Sequence, residues 1–361
     1  MITNKPVITT GQLFGMLFIS RMIVNMTYNP STTGGESMWD HVLSCAISFV
    51  LTFLMVIPVY ILCNLRGGID IANISYLLLG KIGGIICFIY TLYFIFVAIY
   101  TLSMFNSFVS NVMSPKTPLL TLSFAVVIVA SYAACKGIEG IARASFFILV
   151  LVVIAIIFII LALIPQVDVR NYPAFMYDGS SQTINGVILM FSRTSCIPAM
   201  AMLLPLSKGN KKTGIIIWNI SVYLTIAILI TVIVGSLGDY LKTQSFPIYT
   251  ATCIAEMGIL RKLDALYLGI WMTGLFVKIS LFIYLASSCV KKVYRKRSFK
   301  MSASVIGFLI AILSFYASNS SKIISYFYNI NIIAMFTLIT AVIIPLFLII
   351  VNLLKSRRSC K

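Results

Sequence analysis

The sequence predicts an all-α integral membrane protein with about ten transmembrane helices in a single domain over residues 1–361. Two observations lead to this prediction. Of the 361 residues 60% are hydrophobic and only 10% are charged, whereas a soluble domain has roughly 25% charged residues. The apolar residues also form long runs between short polar breaks, and about 20 such residues carry one helix across a bilayer. These features exclude a water-soluble globular protein.

The apolar runs define the predicted spans in order. They cover residues 12–30, 39–64, 82–112, 119–135, 141–164, 181–206, 214–236, 263–290, 302–317 and 330–354. An even number of spans places both termini on one side of the membrane. Most of the 27 Lys and Arg then fall on that side, and the positive-inside rule assigns it to the cytoplasm. We therefore expect both termini to be cytoplasmic.

Charge and reactive side chains exclude several classes of function. The net charge of +18 does not indicate nucleic-acid binding, because most basic residues stand in short gaps between apolar runs. The polybasic stretch 291–300 is expected to orient the chain and to contact membrane lipid or another subunit. The only histidine, His41, is expected at the membrane interface. The scattered cysteines and acids form no recognisable constellation, so we expect no enzyme activity, no cofactor and no metal site.

Three basic residues, Arg21, Arg193 and Lys278, fall inside the first, sixth and eighth predicted spans. A cation near the bilayer centre costs about 2.5–3.5 kcal/mol on insertion scales, so it normally faces a polar interior or a partner. The nine acids all lie in loops or near span ends, so a pair within the membrane is not expected. The alternatives are backbone carbonyls at helix breaks, an anionic ligand, lipid phosphate or an acid on another subunit. A cation near a span end can also snorkel to the headgroups.

The two arginines belong to a short internal repeat. Each follows a serine in the opening helix of one half of a five-plus-five chain, at about 8–165 and 180–355. Polar residues and a proline then indicate a helix break: Asn25, Thr27 and Pro30 in the first span, and Thr194, Ser195 and Pro198 in the sixth. Transporter folds with inverted repeats place substrate at such discontinuous helices near the midplane. An ordinary proline kink is the alternative.

The candidate ligand-binding residues surround these two breaks. Two arginines facing one cavity give it a positive potential, and arginine holds a carboxylate through two parallel hydrogen bonds. The same field opposes a bound Na⁺, so we expect no sodium dependence. Aromatic residues of the third span share a helix face and could cover the pocket, although such a stripe also serves packing. The predicted ligand-binding residues are Arg21, Val24, Asn25, Tyr93, Tyr100, Arg193, Thr194, Ser195 and Lys278.

Five short stretches indicate a family. They are ITTGQL at 8–13, LLP at 203–205, FPIY at 246–249, RKLDAL at 261–266 and IWMTGLFVKISLF at 270–282. They resemble the B subunits of spore germinant receptors, a branch of the amino acid/polyamine/organocation transporter superfamily. The resemblance implies a LeuT-like fold of two inverted five-helix repeats with broken first and sixth helices, and a ligand pocket between spans one, three, six and eight. It also implies A and C subunit partners and nutrient sensing in the inner membrane of a spore.

We therefore expect a receptor subunit that binds a small germinant, an amino acid or another carboxylate, and triggers germination. A secondary amino-acid transporter would have the same pocket, and a scaffold subunit with a vestigial pocket is a third hypothesis. The chain departs from the superfamily pattern at both breaks, because residues 22–24 are large and apolar and residues 194–196 include no acid. The resemblance therefore does not assign a particular germinant.

Overall fold

The computed structural model describes residues 7–26, 39–65, 68–114, 116–174, 176–177, 179–257, 260–261, 263–294, 298–320, 323 and 328–359. Its α-helices in chain order are α1 (Thr10–Met26), α2 (Asp40–Leu65), α3 (Ile71–Leu79), α4 (Gly83–Phe108), α5 (Leu119–Lys136), α6 (Ile138–Leu163), α7 (Ser180–Ser192), α8 (Cys196–Leu203), α9 (Lys211–Leu237), α10 (Pro247–Ile254), α11 (Asp264–Val293), α12 (Phe299–Asn319), α13 (Ile330–Leu338) and α14 (Ile344–Ser359). Its strands are β1 (Ile8–Thr9), β2 (Ser207–Lys208), β3 (Glu256–Met257) and β4 (Leu260–Arg261).

Nine helical segments of the described chain are long and apolar enough to cross a membrane. They coincide with nine of the predicted spans. The remaining predicted span is the first. It contains α1, which has 17 residues in the described part of the chain. The predicted break residues Thr27 and Pro30 lie outside the described residues. The chain is an all-α integral membrane protein, as the sequence predicts.

The first and sixth spans are neighbours that run in opposite directions. β1 pairs in parallel with β2, so that Ile8 lies opposite Ser207. β1 leads directly into α1, and β2 follows the end of α8 by one short turn. The start of the first span therefore lies beside the end of the sixth. Cys196 of α8 adds a contact to α1, because its thiol donates a hydrogen bond of 3.3 Å to the Leu17 carbonyl.

A short helix, α3, precedes the third span, in a stretch for which the apolar pattern predicts no separate helix. It begins after Asp70, whose carboxylate accepts a hydrogen bond from the backbone N–H three residues later, a common way to start a helix. It ends at Gly80, where φ is 61°. The Asp70 carboxylate also forms an ion pair with Lys292 of α11, and Lys355 of α14 donates to the Leu78 carbonyl. α3 is thereby fixed to the ends of α11 and α14.

His41 lies in the first turn of α2, and its side chain is enclosed by the protein. Its side chain is 0% exposed, because α7 covers this end of α2. A Cβ atom added at Gly186 of α7 would lie 3.4 Å from Nδ1 of His41 and 2.4 Å from Oγ of Ser44. Asp40 is buried beside it and accepts a hydrogen bond of 2.6 Å from the backbone N–H of Met176. The position of His41 at the start of an apolar run does not show that another helix covers it, because helix packing cannot be deduced from one run.

Gly83 allows α3 and α4 to approach closely, and this predicts a stability effect. A Cβ atom at Gly83 would lie 2.5 Å from the backbone carbonyl of Ser75, which cannot rotate away. We expect Gly83→Ala to lower the free energy of unfolding by about 1–3 kcal/mol through overpacking. Thermal unfolding of the purified protein in detergent measures the change.

Gly269→Ala is the matched control for this substitution. Among the described residues, no heavy atom from a neighbouring segment lies within 4 Å of a Cβ at Gly269 in α11. Alanine also favours a helix over glycine by up to about 1 kcal/mol. We expect this variant to be neutral or slightly stabilised. Equal losses at both positions would contradict the close contact between α3 and α4.

Candidate ligand-binding site

The sixth span is broken where the sequence analysis predicts a break. α7 ends at Ser192 and α8 begins at Cys196, so residues 193–195 stand between two helices. All three side chains are buried. Pro198 lies in the first turn of α8, where its missing N–H removes no helical hydrogen bond. The break therefore occurs before the proline, at the polar residues.

Arg21 of α1 supplies a hydrogen-bond donor to the end of α7. The last carbonyls of a helix lack partners within it, and Nη2 of Arg21 donates a bond of 2.7 Å to the carbonyl of Met190. The Thr194 hydroxyl donates to the same oxygen at 2.9 Å. A cation at a helix C-terminus also opposes the negative end of the helix dipole. Arg21 therefore caps α7 from a neighbouring span.

Arg193 makes the reverse contact. Its Nη1 atom donates a hydrogen bond of 3.0 Å to the carbonyl of Val24, which lies in the last described turn of α1. Each arginine thus binds a carbonyl near the C-terminal end of the other helix. Among the partners that the sequence left open, these contacts match backbone carbonyls at helix ends.

Lys278 lies in α11 and is also directed into the protein. Its side chain is 1% exposed, and its Nζ atom is 5.7 Å from the ring centroid of Phe282. α11 packs tightly on α1 nearby, since a Cβ at Gly274 would lie 2.1 Å from Cδ1 of Ile23. The burial of Lys278 excludes snorkelling to the headgroups in this conformation. A third basic side chain therefore lies on a helix that packs directly against the helix carrying Arg21.

Several buried polar atoms near the two arginine contacts have no hydrogen-bond partner in the described part of the chain. They are Nη1 of Arg21, both amide atoms of Asn25 and Oγ of Ser195. Buried polar groups are nearly always hydrogen-bonded, so such atoms at a helix break are consistent with a site for a ligand or water. Three of them are donors, which suits an anion.

The two tyrosines of the third span have different neighbours. The Tyr93 hydroxyl is 3.1 Å from Oγ1 of Thr337 in α13, so Tyr93 is directed to the tenth span, as the packing alternative expects. Tyr100 packs against Val24 of α1 and Ile333 of α13. The structure therefore places Tyr100, but not Tyr93, against the residue whose carbonyl binds Arg193.

Sequence reasoning missed Tyr223, which lies beside Arg21, and Thr52, which contacts Tyr223. The guanidinium carbon of Arg21 is 5.9 Å from the ring centroid of Tyr223 in α9, and the Tyr223 hydroxyl is 2.6 Å from Oγ1 of Thr52 in α2. A signal was present in the second span, where buried polar residues recur every fourth position along one helix face: Asp40, Ser44, Ser48 and Thr52. This periodicity identifies a polar face, although it does not identify Tyr223.

The predicted ligand-binding residues line neither of two cavities in the described structure. One cavity, of about 690 Å³, lies between α1, α6 and α9 and is lined by residues such as Phe14 and Trp218. The other, of about 1210 Å³, lies at helix ends around Lys291. No group of three or more His, Cys, Asp or Glu residues in the described chain could hold a metal ion.

The contact between Arg193 and Val24 predicts a loss of stability when it is removed. Arg193→Gln leaves a buried carbonyl without its charged donor, and we expect the free energy of unfolding to fall by about 1–3 kcal/mol. Arg143→Gln is the matched control, because Arg143 is exposed and pairs with Glu139 on its own helix; its expected change is below about 0.5 kcal/mol. Chemical unfolding in detergent compares the two. Equal effects would show that the buried contact contributes no more than a surface ion pair.

Comparisons with known proteins agree with this architecture. Residues 7–323 match the family model described as spore germination protein. The chain is 27% identical over 99% of its length to spore germination protein KB of Bacillus subtilis (strain 168), covering 98% of that protein. A Na⁺-coupled sialic acid symporter in a substrate-bound outward-open state is structurally similar, with a TM-score of 0.65 and 12% identity over 92% of this chain and 78% of that one. This last similarity shows the LeuT-like fold alone. The chain belongs to the spore germination protein family, in agreement with its resemblance to germinant receptor B subunits.

Proposed function

We propose that the chain is a membrane subunit of a spore nutrient germinant receptor and that it binds a small carboxylate, such as an amino acid, to trigger germination. Family membership supports the role in germination. The observation that carries the proposed ligand class is the pair of arginines that bond across the first and sixth spans. They form a fixed positive site beside a helix break, and Nη1 of Arg21 is buried with no described partner.

The arginine contacts suggest how binding could change the protein. A carboxylate can accept two parallel hydrogen bonds from one guanidinium, so it would compete with the carbonyls of Met190 and Val24 for arginine donors. Replacing one contact alters how tightly the first and sixth spans hold each other. A ligand shifts a conformational equilibrium only through such a difference in contacts between two states.

The other predicted site residues take supporting roles in this proposal. Asn25 and Ser195 would donate further hydrogen bonds to the ligand, and Thr194, whose hydroxyl donates to the Met190 carbonyl, would hold the helix break beside it. Tyr100 and Val24 would close the site on the side of the third span, with Tyr93 behind them. Lys278 would add to the positive potential. The site would lie between two five-helix halves at about 8–165 and 180–355.

The proposal includes partners and a location. The A and C subunits of a germinant receptor would assemble with this chain in the inner membrane of the spore. The excess of Lys and Arg on the side of both termini supports a cytoplasmic orientation for those termini. These subunits would contact this chain and respond to ligand-dependent changes in its first and sixth spans.

Nutrient-triggered germination tests the proposal. Spores of the source organism that lack this chain, and spores carrying Arg193→Ala, should both lose the response to the same subset of an amino-acid panel, followed as loss of optical density. The physical reason is the loss of a charge-assisted contact to the carboxylate, worth roughly 10–100-fold in affinity. Immunoblotting of spore membranes checks that the variant is present.

Arg143→Ala is the control in the same assay and should leave the response intact. An unchanged response in the deletion strain, in the absence of a redundant receptor, would overturn the receptor proposal. Liposomes separate the remaining hypotheses. Saturable binding without uptake supports a receptor, vectorial uptake supports a secondary amino-acid transporter, and neither activity supports a scaffold subunit.

A second prediction concerns sodium. The buried guanidinium groups of Arg21 and Arg193, with the basic side chain of Lys278 on an adjoining helix, oppose a bound monovalent cation by electrostatic repulsion in a low-dielectric site. Ligand affinity of the purified protein should therefore be the same in NaCl and in KCl at equal ionic strength. Tighter binding in NaCl, measured by calorimetry, would contradict a site whose charge is fixed by the protein.

A further inference from the structure

A basic cavity of about 1210 Å³ lies away from the arginine site, and its volume exceeds the roughly 300–1,000 Å³ of typical small-molecule sites. Its lining comes from helix ends: Lys81 between α3 and α4, Gly137 between α5 and α6, Lys291 near the end of α11, and Phe299 at the start of α12. Helix ends of a membrane protein lie at the level of the lipid headgroups. The cavity is therefore interfacial.

The cavity carries uncompensated positive charge. Lys81, Lys291 and Lys292 line it, and no acidic residue is among its lining residues in the described chain. Lys292 is neutralised by its ion pair with Asp70. Neither Lys81 nor Lys291 has a carboxylate within salt-bridge distance among the described residues. Two lysine charges are thus available to a ligand.

The rest of the lining is amphipathic. Three tyrosines contribute aromatic rings and hydroxyl groups to the lining: Tyr76, Tyr284 and Tyr294. Apolar side chains complete the wall, including Leu77 and Phe299. Leu77 is 54% exposed at the surface of the protein, so an apolar surface adjoins the basic one. A ligand with a charged head and an apolar tail matches both.

We propose that this cavity binds a phosphate group, supplied by the headgroup of an anionic phospholipid. Lysine binds phosphate as a point charge, and basic pockets at the cytoplasmic side of membrane helices attract anionic headgroups. The apolar wall beside Leu77 favours a lipid over a free phosphate compound. The cavity contains none of the residues assigned to the germinant site, so the inference is independent of the proposed function.

Lipid binding to the purified full-length chain tests this site. The probes are dioleoylphosphatidylglycerol, which is anionic, and dioleoylphosphatidylcholine, which is zwitterionic, and native mass spectrometry counts the bound lipids. The double variant Lys81→Gln/Lys291→Gln keeps the pair between Lys292 and Asp70. It should bind phosphatidylglycerol roughly 10- to 30-fold more weakly, with phosphatidylcholine binding unchanged.

Two further variants serve as controls for overall surface charge and for correct folding. Lys211→Gln/Lys212→Gln removes the same charge on the same membrane face outside the cavity and should leave binding unchanged. Lys81→Arg/Lys291→Arg keeps the charge and should retain affinity, which separates loss of the site from misfolding. Full binding by the Lys81→Gln/Lys291→Gln variant, or an equal loss in the Lys211→Gln/Lys212→Gln control, would overturn the proposal in favour of a general surface field.

Glycerol phosphate distinguishes the two sources of phosphate. If the site is built for a lipid, millimolar glycerol phosphate should not displace phosphatidylglycerol from the unmodified chain. Displacement that disappears in Lys81→Gln/Lys291→Gln would keep the phosphate site but overturn the lipid source, and would assign the cavity to a soluble phosphate compound.

Discussion

The hydrogen bonds from Arg21 to Met190 and from Arg193 to Val24 are the interaction on which the centre of this molecule depends. A helix that breaks within a membrane exposes carbonyl groups that lipid cannot satisfy. Each arginine donates a hydrogen bond to such a carbonyl of the neighbouring helix. A hydrogen bond from a charged donor is stronger than one from a neutral donor. The requirement explains why two arginines are tolerated in spans that contain no acid to pair with them.

The same contacts determine the electrostatics of the centre. Each guanidinium has five N–H donors, and the bond from Nη2 of Arg21 leaves its Nη1 atom buried without a described partner. Lys278 on the adjoining α11 adds a third buried basic side chain. Structural restraint and anion attraction therefore reside in the same side chains. This is the physical basis of the proposal that a ligand at these arginines would change the way the first and sixth spans are joined.

A second group of contacts organises the membrane face where the helices end. Asp70 starts α3 and neutralises Lys292, and Lys355 reaches the end of α3 from α14. The pairing of Lys292 matters for its neighbours as well, because it leaves Lys81 and Lys291 as the uncompensated charges of the basic cavity. One carboxylate thus contributes to the packing of a short helix and to the charge of the adjacent cavity.

The features that depend on local chemistry can be predicted from the amino-acid sequence. Apolar run length predicted the spans, polar residues next to a proline predicted the break at residues 193–195, and the cost of a buried cation singled out Arg21, Arg193 and Lys278. The contacts that these groups make are seen only in the folded protein. The two arginine bonds join residues 169 positions apart, and neither Tyr223 beside Arg21 nor the burial of His41 follows from local pattern. Hydropathy depends on neighbours in the chain, whereas hydrogen-bond partners depend on which helices pack together.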